Sequence, residues 1–294
     1  MPNLELEPKR DLSAFRKISL GTWRTAYDPS VYGTLEVTMD RALDYIREFR
    51  QATGRRLTVT HLLARAVGEV LRSTPDANAL LRWNRIYLRK RVGVFMQVAM
   101  TDEGEDGSEK VDLSGVTIYD VADKGLAEIA DEVSAKVAAV RRHDDPALEK
   151  SRGLFGRIPC FLVGLVLRLV AFLSFTLNLD LSRFGIPRDP FGSVMITNIG
   201  SLGLDTAYVP LVPYSRVPIL LATGSVKERA VVEEGQVVIR RRMKINATFD
   251  HRFIDGYHAA SMSKTLRDWL EHPFERFGPI PTATPGAPVA VGPA

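Results

Sequence analysis

The sequence predicts an α/β fold on three observations. Stretches with a helical apolar period alternate with strand-patterned stretches along the chain. No segment repeats. A composition of 45% hydrophobic and 25% charged residues over 294 positions is ordinary for a globular chain, not for a disordered one. That length buries a substantial core, as one large domain or two small ones. The net charge of +4, from 39 basic and 35 acidic residues, is too mild to argue for nucleic acid, and a mixed solvated surface explains it. The single cysteine, Cys160, excludes an internal disulfide or a cysteine metal cluster and fits a reducing, cytoplasmic setting. In its apolar run it reads as a buried, inert thiol. No apolar core follows the N-terminal charges, so no signal peptide is expected.

The elements follow in order. Residues 1–32 lack periodicity and are expected to form an irregular arm. The run TLEVTM from Thr34 alternates as a strand, and Asp40 is expected to cap a helix through Phe49. A second helix is predicted over 60–73, where Leu63, Ala66, Val67, Val70 and Leu71 form an apolar stripe and Pro75 stops the chain. Residues 82–100 read as two strands of a hairpin whose turn carries Arg89, Lys90 and Arg91, a cluster expected to be solvated. The acidic stretch 101–110 reads as a charged turn without calcium-loop spacing, so no metal is expected there. A third helix is predicted over 125–142, with Leu126, Ile129, Val133, Val137 and Val140 on one face.

The unusual segment is 154–181, LFGRIPCFLVGLVLRLVAFLSFTLNLDL. Residues 158–179 are long enough to span a bilayer, with Arg168 the one charge inside. A single span would split the surrounding soluble pattern across a membrane. The forms left open are a helical hairpin, an interfacial helix with Arg168 snorkelling, and an apolar face covered by another subunit or by the core. From Gly192 the pattern turns to strands, with a hairpin around Glu234 and Gly235. The sequence ends in a proline- and alanine-rich stretch, 276–294, expected to be disordered.

The stretch with chemical content is NATFDHRFIDGYHAA, residues 246–260, on a predicted strand-to-helix turn. It sets His251 and Asp255 four apart, with Gly256 next, where a residue without Cβ suits a turn. Histidine is the side chain best matched to general-base work near neutral pH. A lone His-x-x-x-Asp-Gly is equally explained by a core or cap histidine. His61, His143, His258 and His272 have no partner motif and read as structural or exposed.

Several segments in order resemble one family. DHRFIDG (250–256) and MITNIGSLG (195–203) resemble signature segments of the catalytic domain of the dihydrolipoamide acyltransferases of 2-oxoacid dehydrogenase complexes. FRKISLGTW, LTVTHLLARAVGEVLRSTPDANALL, VGVFMQVAM and VPILLATGSVKERAVV resemble further parts, so the likeness covers most of 13–275. It implies the two-layer α+β sandwich of the chloramphenicol acetyltransferase-like fold, a mixed sheet with covering helices, assembled from trimers. Residues 1–275 are then one catalytic domain with an apolar insertion at 154–181. It further implies His251 as general base, Thr197 as oxyanion donor from a neighbouring subunit, and Asn198 and Gly200 shaping the turn at the substrate. Asp255 would brace the loop and pair with Arg16, for which a plain surface arginine is an equal reading. Coenzyme A is the implied acyl carrier.

The departures qualify what the resemblance implies. No lipoyl domain, lipoylated-lysine motif or subunit-binding segment is recognised, so a stand-alone form without attached lipoate is expected. The family's Gly-Leu-x-Val-Pro strand is replaced by the region from Gly104 through VDLSGVTIYDVAD, which makes dihydrolipoamide a doubtful acceptor. The functional expectation is an acyltransferase working between coenzyme A and a thiol or hydroxyl acceptor. The alternative is a catalytically idle, trimer-based shell whose insertion serves assembly or membrane contact. A homo-oligomer in the cytoplasm, in either case, is expected, peripheral to a membrane if 154–181 touches lipid.

Overall fold

A computed structural model describes residues 2–9, 29–103, 109–142 and 159–281. Seven strands form one mixed sheet. They are β2 (Ser30–Thr38), β5 (Gly93–Glu103), β6 (Glu109–Tyr119), β7 (Val194–Asn198), β8 (Ile219–Thr223), β9 (Lys227–Glu233) and β10 (Gln236–Asp250). The order is β2-β10-β8-β7-β5-β6, with β9 paired to the first half of β10. The β5-β7 and β7-β8 pairs are parallel and the others antiparallel. A smaller sheet, β1-β4-β3, joins β1 (Leu6–Pro8) to the hairpin of β3 (Ala79–Arg82) and β4 (Arg85–Arg89). Trp83 and Asn84 take φ of 51° and 57° at its tip, the left-handed pair that a two-residue hairpin turn demands.

Helices α1 (Asp40–Thr53), α2 (Val59–Ser73), α3 (Leu126–Arg141) and α5 (Gly256–Glu271) cover one face of the large sheet. The stripe predicted over 60–73 is the buried side of α2, and Ile129 of α3 and Ile196 of β7 are fully enclosed in the same core. Asp40 proves to be the first residue of α1, not its cap; its carboxylate holds Arg241 at 2.9 Å. The packed chain runs past the expected boundary at 275. After the short α6 (Pro273–Arg276), Phe277 and Ile280 lie on the core, and the Tyr45 hydroxyl donates to the Gly278 carbonyl.

Three readings are corrected. The arm contains a strand, β1, whose Leu4 and Leu6 flank join Leu80, Ala171 and Phe175 in a second apolar cluster. The 82–100 stretch is not one hairpin, because β4 lies in the small sheet and β5 in the large one. The basic cluster therefore sits at the crossover, and Arg89 is buried, its side chain 3% exposed, against the Asp189 carboxylate at 2.6 Å. A solvated turn does not need that partner; a crossover between two sheets does, since burying one charge without the other is costly.

The insertion is a single helix among the described residues, α4 (Cys160–Ala171), continued by a π turn over Phe172–Thr176. Twelve residues rise only about 18 Å against the roughly 30 Å of a bilayer core. Among the described residues no helix is long and apolar enough to cross a membrane. Its end is pinned to the N-terminus: Asn178 accepts from the Leu4 amide at 2.7 Å and donates to the Leu4 carbonyl at 2.9 Å, while Asn3 donates to the Ser174 carbonyl. Its outer face is uncovered by the core, with Phe161 82% and Leu165 64% exposed.

Two stability predictions follow from buried charge. Asp189→Ala should lower the unfolding free energy by roughly 3 kcal/mol, and Arg89→Met with Asp189→Leu should recover most of it, as read in urea titrations. The second concerns His61, whose Nδ1 closes the capping box of α2 by accepting from the Thr58 amide at 3.2 Å. Burial first, then Arg56 and Arg50, pulls this imidazole down to about 4. Between its ordinary value near 6.5 and that value, the unfolded chain binds a proton that the folded chain refuses. Its contribution is complete above about pH 6.5 and is lost as pH falls towards 4, by roughly 3 kcal/mol. His61→Gln should flatten that part of the stability curve.

Candidate active site

The site is built on β10. Ile245, Ala247 and Phe249 face the helical core, while Asn246, Thr248 and Asp250 face the other way, as strand alternation requires. Those three polar residues hold the 199–218 segment. Asn246 Nδ2 donates to the carbonyls of Asp205 and Ala222, and Thr248 donates to the Val209 carbonyl at 2.8 Å. The Asp250 amide donates to the Pro218 carbonyl at 2.9 Å, and its carboxylate receives the Arg252 guanidinium at 2.9 and 2.5 Å.

His251 is the first residue beyond β10. Its amide donates to the Pro29 carbonyl at 2.9 Å and the residue is half-buried. Phe253 and Ile254, 3% and 2% exposed, root the turn in the core, so the loop carrying the imidazole is anchored on both sides. Asp255 is the N-cap of α5: it accepts from the His258 amide at 3.1 Å and meets His258 Nδ1 at 2.7 Å. The reading of His258 as partnerless is therefore corrected. His258 completes a capping box and lies 3.9 Å from Asp76. The signal was in the sequence, as an aspartate three residues before the histidine at a helix start. Gly256 is also read differently. It is the first residue of α5, outside the positive-φ glycines, and an added Cβ there would meet nothing within 4 Å. Arg16 lies outside the described residues.

Thr197 is the penultimate residue of β7, half-buried and on the sheet face away from the helices with Met195. The turn after it is tight: Asn198 Oδ1 accepts from the Ser201 amide and the Ser201 hydroxyl donates to the Asn198 carbonyl. A Cβ on Gly200 would fall 2.7 Å from the Gly224 backbone, so this glycine is set by the approach of two chains. Arg216, which no motif signalled, takes the left-handed φ of 57° and lies within charge range of Asp250 and Arg252. Burial first, then the Arg252 charge, lowers its pKa, with Asp250 opposing.

The structure does not bring Thr197 and His251 together in one chain. Thr197 is opposite Ala222, and Ala222 opposite Asn246. From Asn246 the strand runs five residues to His251, roughly 17 Å along the strand direction, with two strand spacings, about 10 Å, across. The two lie towards opposite ends of the sheet. No group of three or more histidine, cysteine, aspartate or glutamate side chains that could hold a metal occurs among the described residues.

Residues 191–277, which contain both Thr197 and His251, match the family model of the 2-oxoacid dehydrogenases acyltransferase (catalytic domain). The lipoamide acyltransferase component of the branched-chain alpha-keto acid dehydrogenase complex of Pseudomonas putida is 36% identical over 81 residues, 28% of this chain and 19% of that protein. This chain thus spans about a fifth of that relative's length. Among solved structures, the cubic core of a pyruvate dehydrogenase multienzyme complex superposes with a TM-score of 0.61 at 18% identity, over 92% of this chain and 99% of that one. The dihydrolipoamide acetyltransferase of Azotobacter vinelandii does so with a TM-score of 0.60 at 20% identity, over 93% of each chain. In that protein the catalytic mechanism has been investigated at a serine, a histidine and an asparagine, the last two four positions apart. The chain therefore has the fold of the dihydrolipoamide acyltransferase cores, and the resemblance read from its sequence is to their catalytic domain.

Removing the cap should loosen the turn without unfolding the chain. Asp255→Ala is expected to cost about 1 kcal/mol in urea unfolding, and Asp255→Asn only a few tenths, because an asparagine oxygen also accepts at an N-cap.

Proposed function

We propose that the chain is an acyltransferase that moves an acyl group between coenzyme A and a thiol or hydroxyl acceptor, in a site shared between two copies. The observation that carries this is the separation of Thr197 from His251. Both fall within the matched family segment, yet they sit at opposite ends of one sheet, as two halves supplied by neighbouring subunits would. His251 takes the proton of the acceptor S–H or O–H as that atom attacks the thioester carbonyl, a role worth about 10²–10⁴ in rate. The Thr197 hydroxyl donates to the oxyanion of the tetrahedral intermediate, worth about 10²–10³. When the C–S bond breaks, His251 returns the proton to the departing thiolate, so no proton is left over. Asp255 holds the start of α5 behind the loop, and Asn198 and Gly200 fix the backbone that presents Thr197.

The homo-oligomer is proposed as a trimer or a multiple of trimers in the cytoplasm. The β9-β10 hairpin supports an assembly, since Val232 and Val237 pair across it and are each 72% exposed, beside Ile239 at 69%. Such a contiguous apolar stripe marks a contact surface. The same stripe favours a second reading, a shell in which the fold is kept for assembly alone. The outer face of α4 adds a further contact surface, for another subunit or for lipid.

His251→Ala and Thr197→Ala should each lose at least about a hundredfold in acyl exchange between thioesters. Co-expressed in one oligomer, the two variants should regain part of the activity, because some interfaces then hold both intact residues. Mixed oligomers as inactive as either parent would rule out the shared site, and wild-type protein without transfer from any thioester would favour the shell. A monomer in native mass spectrometry would remove both.

A further inference from the structure

The interior between α2, α5 and the β2-β10-β8 part of the sheet is not closed. A cavity of about 210 Å³ runs there beside Ile245 and Ala247 to Phe249. The cavity is half open to solvent, with exposed Ala260 on its rim, and a groove of that depth between packed layers needs a cause. Its cause lies in side chains of small volume at facing positions: Gly33 on β2, and Ala259, Ala260 and Ser263 on α5. Gly33 is not required by the backbone. Its φ is not positive, and a Cβ there would reach only Phe249 Cε2, at 4.0 Å. The missing side chain leaves room that the fold does not use.

The cavity's chemistry is apolar. Val67, Leu71 and Leu266 line its wall, and the side-chain hydroxyl facing it is that of Ser263, since the Thr34 hydroxyl donates to Asn246 Oδ1 on the opposite face of the sheet. A wall of that kind holds no water well, whereas an apolar cavity of about 150 Å³ is known to take a ring of six carbons. Phe249, at one end, is two residues before His251, which follows the end of the same strand about 7 Å further on.

We infer that this cavity receives the hydrocarbon tail of the acyl group, and that the protein's substrates are acyl thioesters with chains of up to about six carbons beyond the carbonyl, in preference to acetyl. The inference rests on the proposed role of His251, which places the thioester carbonyl next to the cavity's Phe249 end. It adds the identity of the group transferred. Each methylene buried there strengthens binding, and four of them exceed a tenfold gain over acetyl.

The test compares acetyl-coenzyme A, hexanoyl-coenzyme A and free coenzyme A by calorimetry on the full-length protein, with transfer followed in parallel. Hexanoyl-coenzyme A should bind at least about tenfold more tightly than acetyl-coenzyme A. Gly33→Val fills the cavity from the sheet and Ser263→Leu from the helix, and each should bring the two thioesters within about threefold of each other. Equal affinities in the wild type, or a preference that survives both substitutions, would overturn the inference. Transfer of acetyl without any chain-length preference sinks the cavity alone. Chain-length-dependent binding with no transfer leaves the cavity and sinks the catalytic reading, and failure of both thioesters to bind sinks both.

Discussion

The register of β10 is the constraint on which the rest of the molecule depends. This one strand pairs with β9, β2 and β8, so it fixes the order of half the sheet. Its alternation sends Ile245, Ala247 and Phe249 into the core and Asn246, Thr248 and Asp250 to the segment behind the sheet. A slip of one residue would exchange the two sets, burying a carboxylate and two unpaired polar groups while exposing the apolar ones. Nothing local prevents that slip. The Asn246 and Thr248 hydrogen bonds to backbone carbonyls do, because they are made in one register only. The same bonds hold the 199–218 segment, so the support of the Thr197 turn and the launch point of His251 are set by one strand.

A second dependence ties the insertion to the beginning of the chain. Asn178 takes the left-handed φ of 58°, which turns its side chain onto the Leu4 backbone as both donor and acceptor. Arg188 donates to the Pro2 carbonyl, and Asn3 accepts from the Asp189 amide at 3.1 Å. Asp189 in turn neutralises buried Arg89 at the crossover between the two sheets. The apolar insertion is thus anchored at its C-terminal end by a polar network, while the outward face of α4 stays uncovered in the protomer. A helix of that composition is stable in water only through what else covers it.

How much of this was legible in the sequence differs by element. The four helices on the sheet were, because each presents one apolar stripe to one neighbour, and the period alone records that. The role of the basic cluster was not, since Arg89 differs from Arg91 only in its partner, and Asp189 is 100 positions later. The 158–179 run misled for a related reason. Hydropathy counts residues and is blind to the π turn over Phe172–Thr176, which ends the regular α4 early. At the candidate site local spacing was legible and the distances between segments were not. Asp255 and His258 form a local pair that spacing reveals, whereas Gly256 sits where any L-residue fits.

The separation of Thr197 and His251 is the clearest case of information that no motif holds. In sequence they belong to two signatures 54 positions apart, and nothing in either says at which end of a sheet it will lie. The topology supplies that. β7 and β8 are parallel and β10 runs against them, so a residue at the end of β7 and one beyond the end of β10 must point to opposite edges. No rotamer change or loop shift spans such a gap, because both residues are fixed to strands of one hydrogen-bonded sheet. On the proposed acyl transfer, a single copy of this chain would hold two half-sites, each completed by the other end of a neighbouring copy. Chemistry that needs both residues makes assembly a condition of the site, and the apolar stripe of the β9-β10 hairpin becomes part of the same functional problem as the imidazole.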